Sequence, residues 1–144
     1  MGTPYRYVML EHTTDAFWEA YGRDLPELFA SCALALMDTV VDVGRVEGVD
    51  MDEVRVSGHD LESLLYNWLD ALIAAMSIKR RVYSRFETRV TEEREGFTLE
   101  ARMWGETIDF EKHHYKTEVK GVTYHLMAVE RTEDGYRARF ILDL

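Results

Sequence analysis

Two stretches of helical periodicity, each opened by an aspartate, are set in a chain that otherwise alternates apolar and polar residues. That mixture points away from an all-helical bundle and from an all-β barrel. In the first stretch Leu25, Leu28, Phe29, Cys32, Ala33, Leu36 and Val40 recur at the three-and-four spacing of one helix face. Asp24 is placed to cap it, Glu27 completes a variant of the capping box, and Pro26 falls in the first turn, where its missing N–H costs little. In the second, Leu61, Leu64, Leu65, Trp68, Leu69, Leu72 and Met76 form another stripe, with Asp60 as cap. Lys79, Arg80 and Arg81 follow it and complement the negative end of its dipole.

The rest reads as strands. Phe97, Leu99, Ala101 and Met103 face one way while Thr98, Glu100 and Arg102 face the other. Phe86, Thr88 and Val90 precede them, and Glu95-Gly96 supplies the turn. A second hairpin joins Val122–Arg131 to Tyr136, Ala138, Phe140 and Leu142 through Glu133-Asp134-Gly135. Val54 and Val56 mark a short strand, and Tyr5–Leu10 and Phe17–Tyr21 are two more. No repeat of fixed period and no Pro- or Gly/Ser-rich linker is visible, so residues 1–144 read as one domain. The expected fold is α+β, two amphipathic helices packed on one side of a mostly antiparallel sheet of about seven strands.

With 17 Lys and Arg against 27 Asp and Glu, the net charge is −10. That balance disfavours unaided binding to nucleic acid and suits a partner with a basic face. The single cysteine, Cys32, cannot form an internal disulfide and reads as a buried, inert thiol. No apolar run reaches the length of a membrane span, and the first residues lack the order of a signal peptide, so the expectation is a soluble, cytoplasmic protein.

No nucleophile elbow, Walker A loop or dinucleotide fingerprint is present, and the five histidines show no metal-ligand spacing. His12, His59, His113, His114 and His125 each read as structural or hydrogen-bonding residues. His12-Thr13-Thr14-Asp15 lies between two strands, and Ile141-Leu142-Asp143-Leu144 runs directly out of another. Asp15, Asp143 and a terminal carboxylate would be hard oxygen donors of the kind Ca²⁺ or Mg²⁺ takes. Spacing alone favours the plainer reading, a turn former and a solvated strand end. Lys116-Thr117-Glu118-Val119-Lys120 and the Lys79–Arg85 patch are the basic clusters that could touch a phosphate, although solvated flanks commonly look like this.

Read together, four segments resemble the archease family in their order along the chain. They are Glu11-His12-Thr13-Thr14-Asp15, Asp60 through Leu69, Lys116 through His125, and Ile141-Leu142-Asp143-Leu144. The family usually has Ala where Thr14 and Gly121 stand, and Gly or Asp where Leu126 stands. The resemblance implies an activator of the GTP-dependent tRNA-splicing RNA ligase, one that promotes transfer of GMP to the ligase and hence multiple turnover. It implies a divalent cation, calcium first and magnesium second, held by Asp15, Asp143 and the backbone or terminal oxygens of Leu144. His12, Lys116, Lys120 and His125 are implied as supporting or partner-contacting residues. On this reading the chain is not an enzyme and binds neither nucleic acid by itself nor a membrane. Two other functions are weighed beside it. One is a chaperone or specificity factor for tRNA-modifying enzymes such as a tRNA methyltransferase. The other is a small phosphoesterase using Asp15 and Asp143.

Overall fold

The computed structural model describes residues 6–12 and 14–144, without the side chain of His12. Elements follow the order β1 (Arg6–His12), β2 (Asp15–Gly22), α1 (Leu25–Val40), a short 3₁₀ turn (Val43–Arg45), β3 (Asp50–Gly58), α2 (Leu61–Ile78), β4 (Arg81–Glu93), β5 (Gly96–Thr107), β6 (Gly121–Thr132) and β7 (Gly135–Asp143). The α+β class and both helices are as expected, but the seven strands form two antiparallel sheets, ordered β1-β2-β7-β6 and β3-β5-β4. Neither sheet carries the helices alone. α1 lies against β2 and β4, and α2 against β3 and β6, so each helix touches both sheets.

The caps act as anticipated. The Asp24 carboxylate accepts from the Glu27 N–H at 2.9 Å, while Glu27 reaches back to the Arg23 N–H. Asp60 and Ser63 form a reciprocal box, with the Ser63 N–H donating to Asp60 at 2.7 Å. α1 is not one-sided, however. Every residue from Leu28 to Met37 is buried, including Ala30, Ser31 and Ala35 off the expected stripe, as suits a helix enclosed on all sides. Small residues there let two layers approach it. Two indole N–H groups are satisfied across the core, Trp18 to Thr39 Oγ1 and Trp68 to the Phe29 carbonyl, both at 2.9 Å. Leaving either unpaired would cost about 1–3 kcal/mol.

The chain is a nested duplication. Gly22, Asp24, Leu25 and Leu28 at the β2–α1 junction recur as Gly58, Asp60, Leu61 and Leu64 at the β3–α2 junction. Each junction glycine presses its own helix: a Cβ on Gly22 would lie 2.3 Å from Leu28 N, and one on Gly58 2.4 Å from Leu64 N. Each βα unit then pairs with a hairpin, β2 with β7 of β6–β7 and β3 with β5 of β4–β5. The register matches throughout, since Gly22 faces Tyr136 where Gly58 faces Phe97. The second unit sits inside the first, between α1 and β6, which is why the sequence shows no constant period.

One departure from regular pairing matters for the site. Between Thr123 and Ala128 β6 breaks register with β7, and Leu126 adopts a left-handed φ of 58°. Residues 124–126 therefore bulge, and the expected strand Val122–Arg131 does not alternate regularly through them. A left-handed conformation suits glycine, which lacks a Cβ, or a short polar residue that can hydrogen-bond locally, better than leucine. Leu126→Gly should stabilise the fold by about 1 kcal/mol, read as a higher urea midpoint at unchanged slope; a lower midpoint would mean that the exposed Leu126 side chain is needed for packing.

Candidate metal centre and partner surface

Asp15 opens β2 and Asp143 closes β7, and the antiparallel register sets the two directly opposite each other. Spacing alone could not bring them together; the strand pairing does. Alternate pairs along these strands face the core, Ala16–Leu142, Trp18–Phe140 and Ala20–Ala138. The others, Asp15–Asp143, Phe17–Ile141, Glu19–Arg139 and Tyr21–Arg137, face away from it. Glu19 is held well below the usual carboxylate range, first by the Tyr21 hydroxyl and then, against its own burial, by Arg139 at 2.6 Å.

Directly opposed side chains have Cβ atoms about 4.5–5.5 Å apart, and like charges there are destabilising. At the corresponding positions of the second unit stand Met51–Trp104, Glu53–Arg102, Arg55–Glu100 and Ser57–Thr98. Wherever two charges oppose each other in these two ladders they are of opposite sign, except at Asp15–Asp143. The matching position, Met51–Trp104, is apolar, with the Arg85 guanidinium 4.2 Å from the Trp104 ring. The architecture thus accepts uncharged residues at this end of the sheet, and the acid pair is a cost that folding does not require. Both aspartates are exposed, and neither carboxylate bonds to another described residue. Opposed carboxylates suit a hard divalent cation, which prefers oxygen and neutralises both charges. Among the described residues no group of three or more His, Cys, Asp and Glu side chains converges.

The remaining sequence candidates fall in several places. Leu144 follows Asp143 and lines a cavity of about 580 Å³ with Met9, Thr14, Trp18, Asp38, Thr39, Lys116 and Thr117. Lys116 closes the C-terminal end of α1: its N–H donates to the Val40 carbonyl and its Nζ to the Asp38 carbonyl, each at 2.7 Å. Sequence reasoning missed this role, although the last turn of α1 has no basic residue of its own. The Lys120 N–H donates to the Asp143 carbonyl at 2.8 Å, fixing the backbone beside the acid pair. His125 lies apart on the β6 bulge, next to Tyr124, whose ring stacks on Tyr66 at 4.3 Å. Backbone pairing sets His12 opposite Ala16, while its side chain and Thr13 lie outside the described residues. Cys32 is buried and its thiol is pushed up by desolvation, as an inert thiol should be.

His113 is structural. Its Nδ1 accepts from the Asp109 N–H at 2.9 Å, so Nε2 carries the proton and donates to Glu106 at 2.8 Å. Burial pushes Glu106 up, but the Glu47 N–H, His113 and Lys112 outweigh it and bring the carboxyl down to about 2. A lowered folded-state value stabilises the protein above the ordinary Glu value of 4.5, and that contribution is lost as pH falls toward 2. Glu106→Gln should therefore flatten the fall in melting temperature between these limits; an unchanged slope would remove Glu106 as its source.

The profile of the Archease protein family (MTH1598/TM1083) matches residues 7–144. The chain belongs to the archease family. Protein archease of Pyrococcus abyssi is 41% identical over 140 residues, covering 96% of this chain and 99% of that one. Protein archease of Sulfurisphaera tokodaii is 37% identical, with coverage of 96% and 99%. The solution structure of Methanobacterium thermoautotrophicum protein 1598 superposes with a TM-score of 0.82 at 34% identity, covering 96% of this chain and 98% of that chain. These names specify no reaction. Among the described residues no helix is long and apolar enough to cross a membrane.

Proposed function

We propose that this archease is a cytoplasmic protein cofactor for a GTP-dependent tRNA-splicing RNA ligase, promoting transfer of GMP to the ligase and so its multiple turnover. The observation that carries this reading is the opposed pair Asp15–Asp143, a charged juxtaposition that the matching end of the second unit does without. Asp15, Asp143 and an oxygen of Leu144 would hold a divalent cation, calcium or magnesium, which supplies positive charge to phosphate oxygens when bound. The chain's own part is to hold these oxygens at a strand end, with the Asp143 carbonyl fixed by the Lys120 N–H. A net charge of −10 favours encounter with the basic surface expected of an RNA enzyme.

The test follows labelled GMP onto a ligase from the same cell, with and without this protein, and counts joining events per ligase. Both should rise, and at limiting protein the rise should shrink with added salt. Identical readings with and without the protein defeat the proposal. Suppressed aggregation of a tRNA methyltransferase with no change in GMP transfer would favour a chaperone instead, and RNA turnover by this chain alone would favour a phosphoesterase.

A further inference from the structure

The cavity beside Leu144 is the part of this end that the acid pair does not use. Its apolar walls are Met9, Trp18 and Leu144, and Asp38 stands on its polar side. It opens where α1 ends, among carbonyls that carry the negative end of the helix dipole. Burial first, and then Asp38 and Asp42, push the neighbouring Tyr7 phenol up to about 12. The chain itself already brings one cation here, since Lys116 Nζ donates to the Asp38 carbonyl at 2.7 Å and lies 3.4 Å from its carboxylate.

The second unit shows what its corresponding end accepts. There Arg81, at the start of β4, pairs through Nε with Asp52 at 3.1 Å and through Nη2 with Asp50. Its guanidinium lies 5.7 Å from the Tyr83 ring. Thr14 and Leu144, which line the cavity, correspond in register to Asp50 and Gly105. In the duplicated architecture one sheet end is filled by the chain's own arginine, and the other, among the described residues, is a pocket with apolar walls whose aspartate meets only the Lys116 ammonium as a cation.

We propose that this cavity accepts the guanidinium side chain of an arginine presented by the protein partner. The arginine stem would lie along Met9, Trp18 and Leu144 while the planar head bonds the Asp38 carboxylate. This rests on the reading that the archease docks on a basic protein, and it assigns the contact that would register the two.

The full-length protein, labelled with ¹⁵N and kept in chelator so that no metal contributes, is titrated with N-methylguanidinium or with inorganic phosphate at matched ionic strength. Methylguanidinium should move the Trp18 indole N–H resonance saturably, and phosphate should not. Asp38→Asn should weaken the response about tenfold. Lys116→Met should strengthen it, because a competing cation is removed. An anion site would show the reverse, with phosphate moving Trp18 and Lys116→Met abolishing that response; this pattern, or no saturable response to methylguanidinium in either the parent or Lys116→Met, overturns the proposal. Because no ligase is present, a negative result leaves the GMP-transfer reading intact, and failure of GMP transfer leaves this binding result standing.

Discussion

Asp15→Ala and Asp143→Ala should each reduce ligase GMP transfer to its unstimulated level, although both proteins fold. Their stability should change in a way that separates a metal site from a merely structural pair. In chelator, removing one of two directly opposed carboxylates relieves repulsion, so each variant should match the parent or exceed it by about 0.5 kcal/mol. With calcium at a hundredfold excess over its dissociation constant, the parent should gain about 2.7 kcal/mol by linkage, or roughly 8 °C for a domain of this size. The variants should gain nothing. Thermal melts with and without calcium, run beside the GMP-transfer assay, decide the matter. An unchanged calcium response in both variants would place the cation elsewhere, and full activation by both would detach this end of the sheet from function.

Gly22→Ala and Gly58→Ala should each damage the fold severely, and to a similar degree. At each site the new Cβ would meet helix backbone, Leu28 N at 2.3 Å or Leu64 N at 2.4 Å. Backbone at a helix start cannot step aside as a flexible side chain can, so each change should cost about 3 kcal/mol, lowering the melting temperature by roughly 10 °C. Chemical denaturation of both variants measures this. A large loss at one glycine and none at the other would show that the two βα junctions are not equivalent in packing.

Gly121 supplies the contrast, because a Cβ there would meet nothing within 4 Å. An alanine at this position therefore fits without rearrangement. A glycine's meaning depends on what lies against it, and residue type alone does not reveal that.

Much of the fold was legible because it is written in local chemistry. Asp24 and Asp60 cap their helices through bonds to residues three positions on, and the glycine turns at Glu95-Gly96 and Asp134-Gly135 close hairpins between neighbouring segments. Such features involve a few consecutive residues, so spacing reveals them. The partition of seven strands into two sheets was not legible, because pairing β2 with β7 joins segments more than a hundred residues apart. The nested repeat was hidden for the same reason: the inserted unit removes any constant interval between matching residues. Enclosure of α1 on every face also depends on that arrangement, since an Ala or Ser beside an apolar stripe suits solvent and a close-packed layer equally well. At the site, residue types alone made Asp15 and Asp143 candidate oxygen donors, and the order of motifs named the family. Only the tertiary structure set the two carboxylates opposite each other and showed that the matching pair in the second unit is apolar, because which strands become neighbours is decided by packing across the whole chain rather than by any segment of it.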